Sequence, residues 1–426
     1  MRRTAGPVLA LLIAVLAGLL VVLGGSPALA GAAEERINGT LRNGEQVVAD
    51  VRIVATRPDG SPVGETRSGP DGRWAIPLPG PGSYRVTLDE ATLPEGVGIR
   101  PDTTNTRDVE VVSGGRRAVL FPLGQGARQS GPSQLSRAAT LTVEGLRFGL
   151  ILALAAVGLS LIFGTTGLTN FAHGELITLG GLVAYFVNVI LDIHLVPATI
   201  LTVIACGLAG ALLDLGFWRR LRRRGTGLIA MMIVSIGLSI LVRYVYLYVF
   251  GGSTRPYADY ALQGSLPLGP VVLAPKDLAS MLIAAFVLVL AGFALLRTRI
   301  GKATRAVADN PALAAASGID VERVIQAVWI GGAALAGLSG VLLGINQQVD
   351  WQMGFQVLLL VFAAVTLGGL GTAFGALVGS LIVGLFIQLS TLVVPPELKN
   401  VGALAVLILI LLVRPQGILG RAQRVG

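Results

Sequence analysis

Between Val143 and Val413, apolar stretches of about 17–22 residues follow one another with only short polar or glycine-rich breaks. A helix of that length crosses about 30 Å of hydrocarbon. Hydrocarbon offers the backbone no hydrogen-bond partner, so such stretches must satisfy their own N–H and C=O groups as helices. Spans are predicted at residues 145–163, 168–191, 196–217, 227–250, 278–296, 323–345, 355–371, 374–393 and 398–413. Polar residues interrupt the second, and only a glycine-rich turn divides the seventh from the eighth, so eight or nine crossings are expected. The predicted fold over residues 141–421 is all-α and polytopic. Charged residues make up 13% of the chain, against about 25% in soluble domains, which excludes a soluble enzyme for most of its length.

Charge placement predicts orientation. Residues 1–30 hold two arginines and no acid, residues 31–140 hold thirteen of each sign, and residues 141–426 hold eighteen basic against eleven acidic side chains. The excess lies in loops between apolar runs rather than on an aromatic-studded surface, which argues against nucleic acid as a partner. Thirteen of the eighteen (Arg219, Arg220, Arg222, Arg223, Arg224, Arg297, Arg299, Lys302, Arg305, Arg323, Arg414, Arg421 and Arg424) fall on one side if the chain crosses nine times. Arg147, Arg255, Lys276 and Lys399 fall on the other, and Arg243 lies inside a span. The positive-inside rule then places the C-terminus in the cytoplasm and the segment before the first span outside the cell membrane. Arg219–Arg224 also suits contact with anionic membrane lipid.

The N-terminal third is different material. Residues 1–30 open with Arg2-Arg3, continue as an apolar run and end in Ala28-Leu-Ala30, the pattern of a signal peptide; an uncleaved leader helix is the alternative. Residues 31–124 alternate apolar and polar residues over Gln46–Thr56, Arg73–Leu78, Ser83–Leu88, Arg107–Val112 and Arg117–Phe121, between turns such as Pro70-Asp71-Gly72. That spacing predicts a small exported all-β sandwich. The runs Asp50–Thr56, Asp71–Pro77 and Gly82–Val86 resemble carboxypeptidase-regulatory-like or transthyretin-like modules. Residues 125–140, rich in Gly, Ser and Gln at the start, are expected to be a linker.

Polar residues in an apolar span are costly, about 2.5–3.5 kcal/mol for a central charge on insertion scales, and mark function or helix–helix adhesion. Thr166, Asn170, His173 and Glu175 are such residues. On one continuous helix Thr166, Asn170 and His173 share a face and Glu175 is rotated away; they suit either a substrate pathway or interhelical hydrogen bonding. Arg243 is expected to pair with a buried acid, and Asp214 with the arginines that follow it.

The stretch Asn170-Phe-Ala-His-Gly-Glu175 resembles the motif of membrane permeases of branched-chain amino-acid ABC transporters. The resemblance continues through Arg305-Ala-Val-Ala-Asp-Asn310, Ala314–Ile319, Ala334–Gly344, Leu367–Ala376 and Val413–Gly420, and covers residues 141–421. It implies an importer subunit that moves branched-chain or other hydrophobic amino acids. It further implies two ATP-binding subunits, a second permease subunit and an extracytoplasmic solute-binding protein as partners. A urea or short-amide permease is the alternative within the family, and a secondary carrier or channel the alternative outside it.

Within that resemblance the loop from Arg297 to Glu322 becomes an ATPase coupling loop. Asp309-Asn310-Pro311 can cap and start a short helix. Ala312, Ala315, Ala316 and Gly318 would allow close approach of a partner, and Arg305 and Asp309 would supply a polar rim. Ala336, Gly340 and Gly344, and likewise Gly371, Gly375 and Gly379, recur every four residues and predict close helix packing. No phosphate-binding G-x-x-x-x-G-K-[ST] motif occurs, and Cys206 is the single cysteine beside two histidines. No catalytic residue, metal ligand or cofactor is therefore expected on this chain; ATP and Mg belong on the partner subunits.

Overall fold

The computed structural model describes residues 35–395, 408 and 417–419, except 44–45, 95, 100–103, 112–115, 122, 124–133, 261–265 and 269–270. The expected leader at 1–30 and the ninth span at 398–413 lie outside the described residues. Two compact units divide the chain near residue 132.

The N-terminal unit is a sandwich of two sheets. Strands β1 (Arg36–Thr40), β2 (Arg42–Asn43), β3 (Gln46–Val47), β4 (Arg52–Thr56), β5 (Pro62–Arg67), β6 (Arg73–Pro77), β7 (Gly82–Leu88), β8 (Thr106–Val111) and β9 (Arg116–Ala118) form the orders β5-β4-β7-β8 and β6-β1-β9, with β2–β3 a separate hairpin. Alternation sets the faces: along β6, Trp74 and Ile76 are buried while Arg73, Ala75 and Pro77 are exposed. Those inward side chains meet Ile37, Ile53, Ala55, Tyr84, Val86 and Leu88 in one core. Strands β1 and β5 were not expected, because Gly39, Pro62 and Gly64 break their alternation.

The second unit is helical. Seven helices are long and apolar enough to cross a membrane: α1 (Gln134–Thr166), α2 (His173–Ile190), α3 (Leu195–Arg223), α4 (Leu228–Phe250), α5 (Pro275–Arg297), α8 (Val321–Gln347) and α10 (Ala373–Ser390). A shorter apolar helix, α9 (Met353–Gly368), makes eight among the described residues. Two short helices, α6 (Arg299–Asp309) and α7 (Pro311–Ala316), fill the loop between α5 and α8. Helix α1 begins at Gln134, so the last part of the expected linker is already helical. The second predicted span starts late: α1 stops at Thr166 and α2 begins only at His173, so 167–172 is a non-helical connection between the first two spans.

Burial sorts the helices. About 72% of the apolar window of α2 or α8 is covered by the chain's own helices, against 17% for α5. Helices α1, α2, α8, α9 and α10 form the centre, and α4 and α5 turn Ile229, Ile233, Phe286 and Val289 outward, as lipid-facing helices do. Helices in lipid gain nothing from hiding apolar surface from water, so they associate through close van der Waals contact at small residues. Gly158 of α1 lies against the backbone of Gly332, Gly337 lies against Cys206 and Gly180, and Gly174 faces Gly354. Ser339 adds a hydrogen bond from its hydroxyl to the carbonyl of Ile151 at 2.9 Å.

A Cβ on Gly158 would stand 2.6 Å from the Gly332 carbonyl oxygen, whereas one on Gly237 meets nothing within 4 Å. Overpacking of this kind costs about 1–3 kcal/mol. Gly158→Val is therefore expected to lower the thermal midpoint of the detergent-solubilised chain by several degrees, with Gly237→Val unchanged, as read by differential scanning fluorimetry.

Candidate functional site

The centre of the helical unit is the break between α1 and α2. Thr165 and Thr166 turn their hydroxyls back onto the carbonyls of Leu161 and Ile162. Gly167, at φ +68°, then ends the helix, a left-handed conformation that an L side chain resists. Thr166 Oγ1 also accepts the Leu168 N–H at 3.2 Å. Asn170 Oδ1 accepts the Ala172 N–H at 3.0 Å, and its carbonyl accepts the N–H of His173, so this side chain shapes the entry into α2. Ser235 ties the break to α4: its hydroxyl accepts the Phe171 N–H at 3.0 Å and donates to the Met232 carbonyl at 2.7 Å. The shared face predicted for Thr166, Asn170 and His173 is corrected, because the non-helical segment 167–172 separates Thr166 from His173 and contains Asn170.

His173 and Glu175, in the first turn of α2, point to different neighbours. His173 is fully buried, with Nε2 3.0 Å from the Ala155 carbonyl oxygen of α1. Glu175 is buried against α4: its Oε1 accepts from Ser239 Oγ at 2.8 Å and from Arg243 Nε and Nη2 at 3.2 and 3.1 Å. Arg243 also stacks over the Phe355 ring of α9, 3.6 Å from its centroid. Tyr246 donates to the Glu175 carbonyl at 3.1 Å. The buried acid expected for Arg243 is thus Glu175. Ser235, Ser239 and Arg243 recur every four residues on an otherwise apolar helix, a polar stripe that could have been read as the partner of the α2 motif.

A second polar cluster stands at the C-terminal end of α3. Here a π-helical turn, Asp214–Trp218, buries both its end residues. Trp218 stacks on Trp329 of α8 at 5.8 Å between centroids, and the Asp214 carboxylate takes Arg222 at 2.8 Å and Arg219 at 3.3 Å. Both arginines also reach Glu322 in the first turn of α8, at 2.9 and 3.0 Å, and Arg219 adds a bond to Gln326 at 3.1 Å. Two carboxylates share two guanidiniums, so no charge in the cluster is left uncompensated. The cluster joins α3 to the base of the α6–α7 loop.

In that loop the basic start is itself a helix, α6, whose Thr304 and Val307 pack inward. Asn310 caps α7, accepting the Leu313 N–H at 3.0 Å, and Pro311 occupies its first turn. Gly318 closes it at φ +84°. Ala314 is the buried residue of α7, against Val307 and Val324. Arg305, Asp309, Ala312, Ala315, Ala316 and Gly318 are all exposed. Leu313, absent from the sequence reading, is 65% exposed on the same short helix.

Of the small residues, Ala336, Gly340 and Gly344 lie on α8. Gly340 backs onto the Ile177 carbonyl and Gly344 onto the Tyr257 ring. Gly375 and Gly379 pack α10 against Gly368 and Ala364 of α9. Gly371 does not belong to that helical row: it lies in the turn before α10, at φ +80°, against Gly164. Among the described residues no cluster of His, Cys, Asp or Glu is placed to hold a metal ion.

The helical unit matches the model of a known family along residues 141–411, described as "Branched-chain amino acid transport system / permease component". The chain belongs to this family and is a multi-pass membrane transport subunit rather than an enzyme. Similar proteins include the high-affinity branched-chain amino acid transport system permease protein LivH of Salmonella typhimurium and of Escherichia coli K12. Each is 33% identical over 294 residues, covering 66% of this chain and 94% of the relative. The permease BraD of Pseudomonas aeruginosa is 31% identical over 293 residues, covering 66% and 95%. No solved structure matches the chain significantly.

Removing one member of a buried ion pair costs about 3–5 kcal/mol, because the other is stranded. Glu175→Gln and Arg243→Met are each expected to lower the thermal midpoint markedly. The double variant should lose much less than the sum, a coupling that a double-mutant cycle on the solubilised protein measures.

Proposed function

We propose that this chain is the permease subunit of an ABC importer for branched-chain or other hydrophobic amino acids. The observation that carries the reading is the match along residues 141–411 with the permease family and with permeases named for that transport. The chain contains no phosphate-binding loop of its own, so two ATP-binding subunits supply the energy, with ATP and Mg held there. A second permease subunit completes the pathway, and an extracytoplasmic solute-binding protein delivers the solute. Arginine placement supports an orientation with α6–α7 and the C-terminus on the cytoplasmic side and the β-sandwich outside.

The break at Gly167–Ala172 is the proposed gate. This non-helical connection between α1 and α2 leaves backbone groups outside any helix, and these are tolerated where protein or a water-filled path satisfies them. Thr166 and Asn170 stand at the break and face the solute, while His173 and Glu175 fix α2 to α1 and α4 on either side of it. On the cytoplasmic side α7 presents Leu313, Ala312, Ala315 and Ala316 to the ATPase, with Arg305 and Asp309 beside them. Closure of the ATPases shifts α7, and the Asp214–Arg219–Arg222–Glu322 cluster passes that shift from the loop to α3 and α8. ATP can drive transport only by favouring one arrangement of these helices over the other.

The test is uptake of labelled leucine into proteoliposomes holding the complete complex. ATP-dependent leucine uptake is the expected result. Uptake of urea in its place overturns the substrate assignment, and uptake that survives without ATP overturns the importer assignment. In the same assay Leu313→Glu is expected to cut solute moved per ATP hydrolysed by about tenfold, with the chain still inserted. Gly318→Asn, which tolerates the left-handed region, should couple far better than Gly318→Val.

A further inference from the structure

The geometry points to a peptide-binding groove on the β-sandwich, taking an extended acidic segment of a partner protein. A groove of about 910 Å³ is lined by Thr40, Arg42, Val47, Asp71, Arg73, Arg107, Leu120 and Phe121. These residues come from the end of β1, the β2–β3 hairpin, the start of β6, the start of β8 and the segment after β9. The unit as a whole balances thirteen basic against thirteen acidic residues between 31 and 140. In the groove the balance is three arginines to one aspartate.

Three other arginines of the same unit are held in ion pairs. Arg52 is neutralised by Glu65, Arg67 by Asp50 at 2.9 Å, and Arg85 by Asp108 at 2.9 Å. Among the described residues Arg42 and Arg107 have no carboxylate within ion-pair distance. Arg73 has only Asp71, at 3.6 Å and well exposed, a pairing of little energetic weight. Guanidinium groups left free in this way suit carboxylates, which they grip with two parallel hydrogen bonds.

The remaining lining is apolar. Phe121 is buried and lies 6.2 Å from Trp74 between ring centroids, while Leu120 is 73% and Val47 41% exposed. Unpaired cations from separate segments, set beside exposed apolar side chains, call for a ligand with more than one anion and an apolar part. An extended peptide supplies both at a fixed repeat, since residues i, i+2 and i+4 project from one face. The fitting pattern is acidic, apolar, acidic at alternate positions.

The experiment titrates the purified full-length chain in neutral detergent with the peptide acetyl-Glu-Ser-Leu-Ser-Glu-amide, by isothermal calorimetry at low and high salt. Saturable binding is expected, weakened at least tenfold by the double substitution Arg42→Ala and Arg107→Ala and by high salt. Arg67→Ala, on the far edge strand β5, is the control and should bind as the parent does. Lysine at positions 42 and 107 should recover only part of the loss, because an ammonium cannot grip bidentately. The proposal is overturned if the peptide does not bind, or if its Gln-Ser-Leu-Ser-Gln counterpart binds equally well. It is overturned equally if the double alanine variant is unaffected, or if inorganic phosphate or a short-chain phosphatidylglycerol below its micellar concentration competes at the peptide's own concentration. No step depends on the transport assignment, so failure here leaves the importer reading untouched.

Discussion

Hydrocarbon gives a polar group nowhere to turn, and that constraint organises the helical unit. The buried carboxylates described in the helical unit have all found partners. Glu175 is met from α4 by Ser239 and Arg243, Asp214 by two arginines, and His173 by a backbone carbonyl of α1. The same pressure explains the threonine hydroxyls folded back at the end of α1, which donate to carbonyls of the preceding turn. Polar residues here fix which helices are neighbours, and glycines fix how near they come.

These two devices divide the labour between rigid and yielding parts. Glycine contacts unite α1, α2, α8, α9 and α10 backbone to backbone, with hardly any room for adjustment. Helix α4 has few such contacts and joins the centre mainly through Ser235, Ser239, Arg243 and Tyr246. A helix held by a few directional bonds can exchange them for others, whereas one held by interlocked backbones moves only with its neighbours. The loop helices α6 and α7 follow the same logic, anchored by Thr304, Val307 and Ala314 while their outer residues stay uncovered.

Most of the architecture was legible before any coordinates. Apolar runs long enough to cross a bilayer admit one solution, so positions of the spans follow from length alone, and alternate burial along β6 and β7 follows from period-2 patterning. The failures have physical causes. The start of α2 at His173 rather than 168 was hidden because Leu168 and Phe171 keep the stretch apolar. Gly371 fits a spacing of four, yet spacing cannot tell a helical glycine from one in the turn before the helix. Strands β1 and β5 carry too few inward apolar residues to betray themselves. For the site, Asp214 and Arg243 announced that they needed partners, but the identities of Glu322, Ser239 and Phe355 depended on tertiary packing. Leu313 escaped notice because an apolar residue in a short loop helix looks like core until its exposure is known.

Cys206 sits on α3 beneath Gly337, wholly enclosed and without a disulfide partner. Its sulfur is walled off from aqueous reagents by the very contact that locks α3 to α8. The native chain is thus already close to a thiol-silent background for site-directed labelling. Any cysteine placed on an outward position would report through maleimide or spin-label chemistry without first stripping the natural one, and without disturbing the seam it fills.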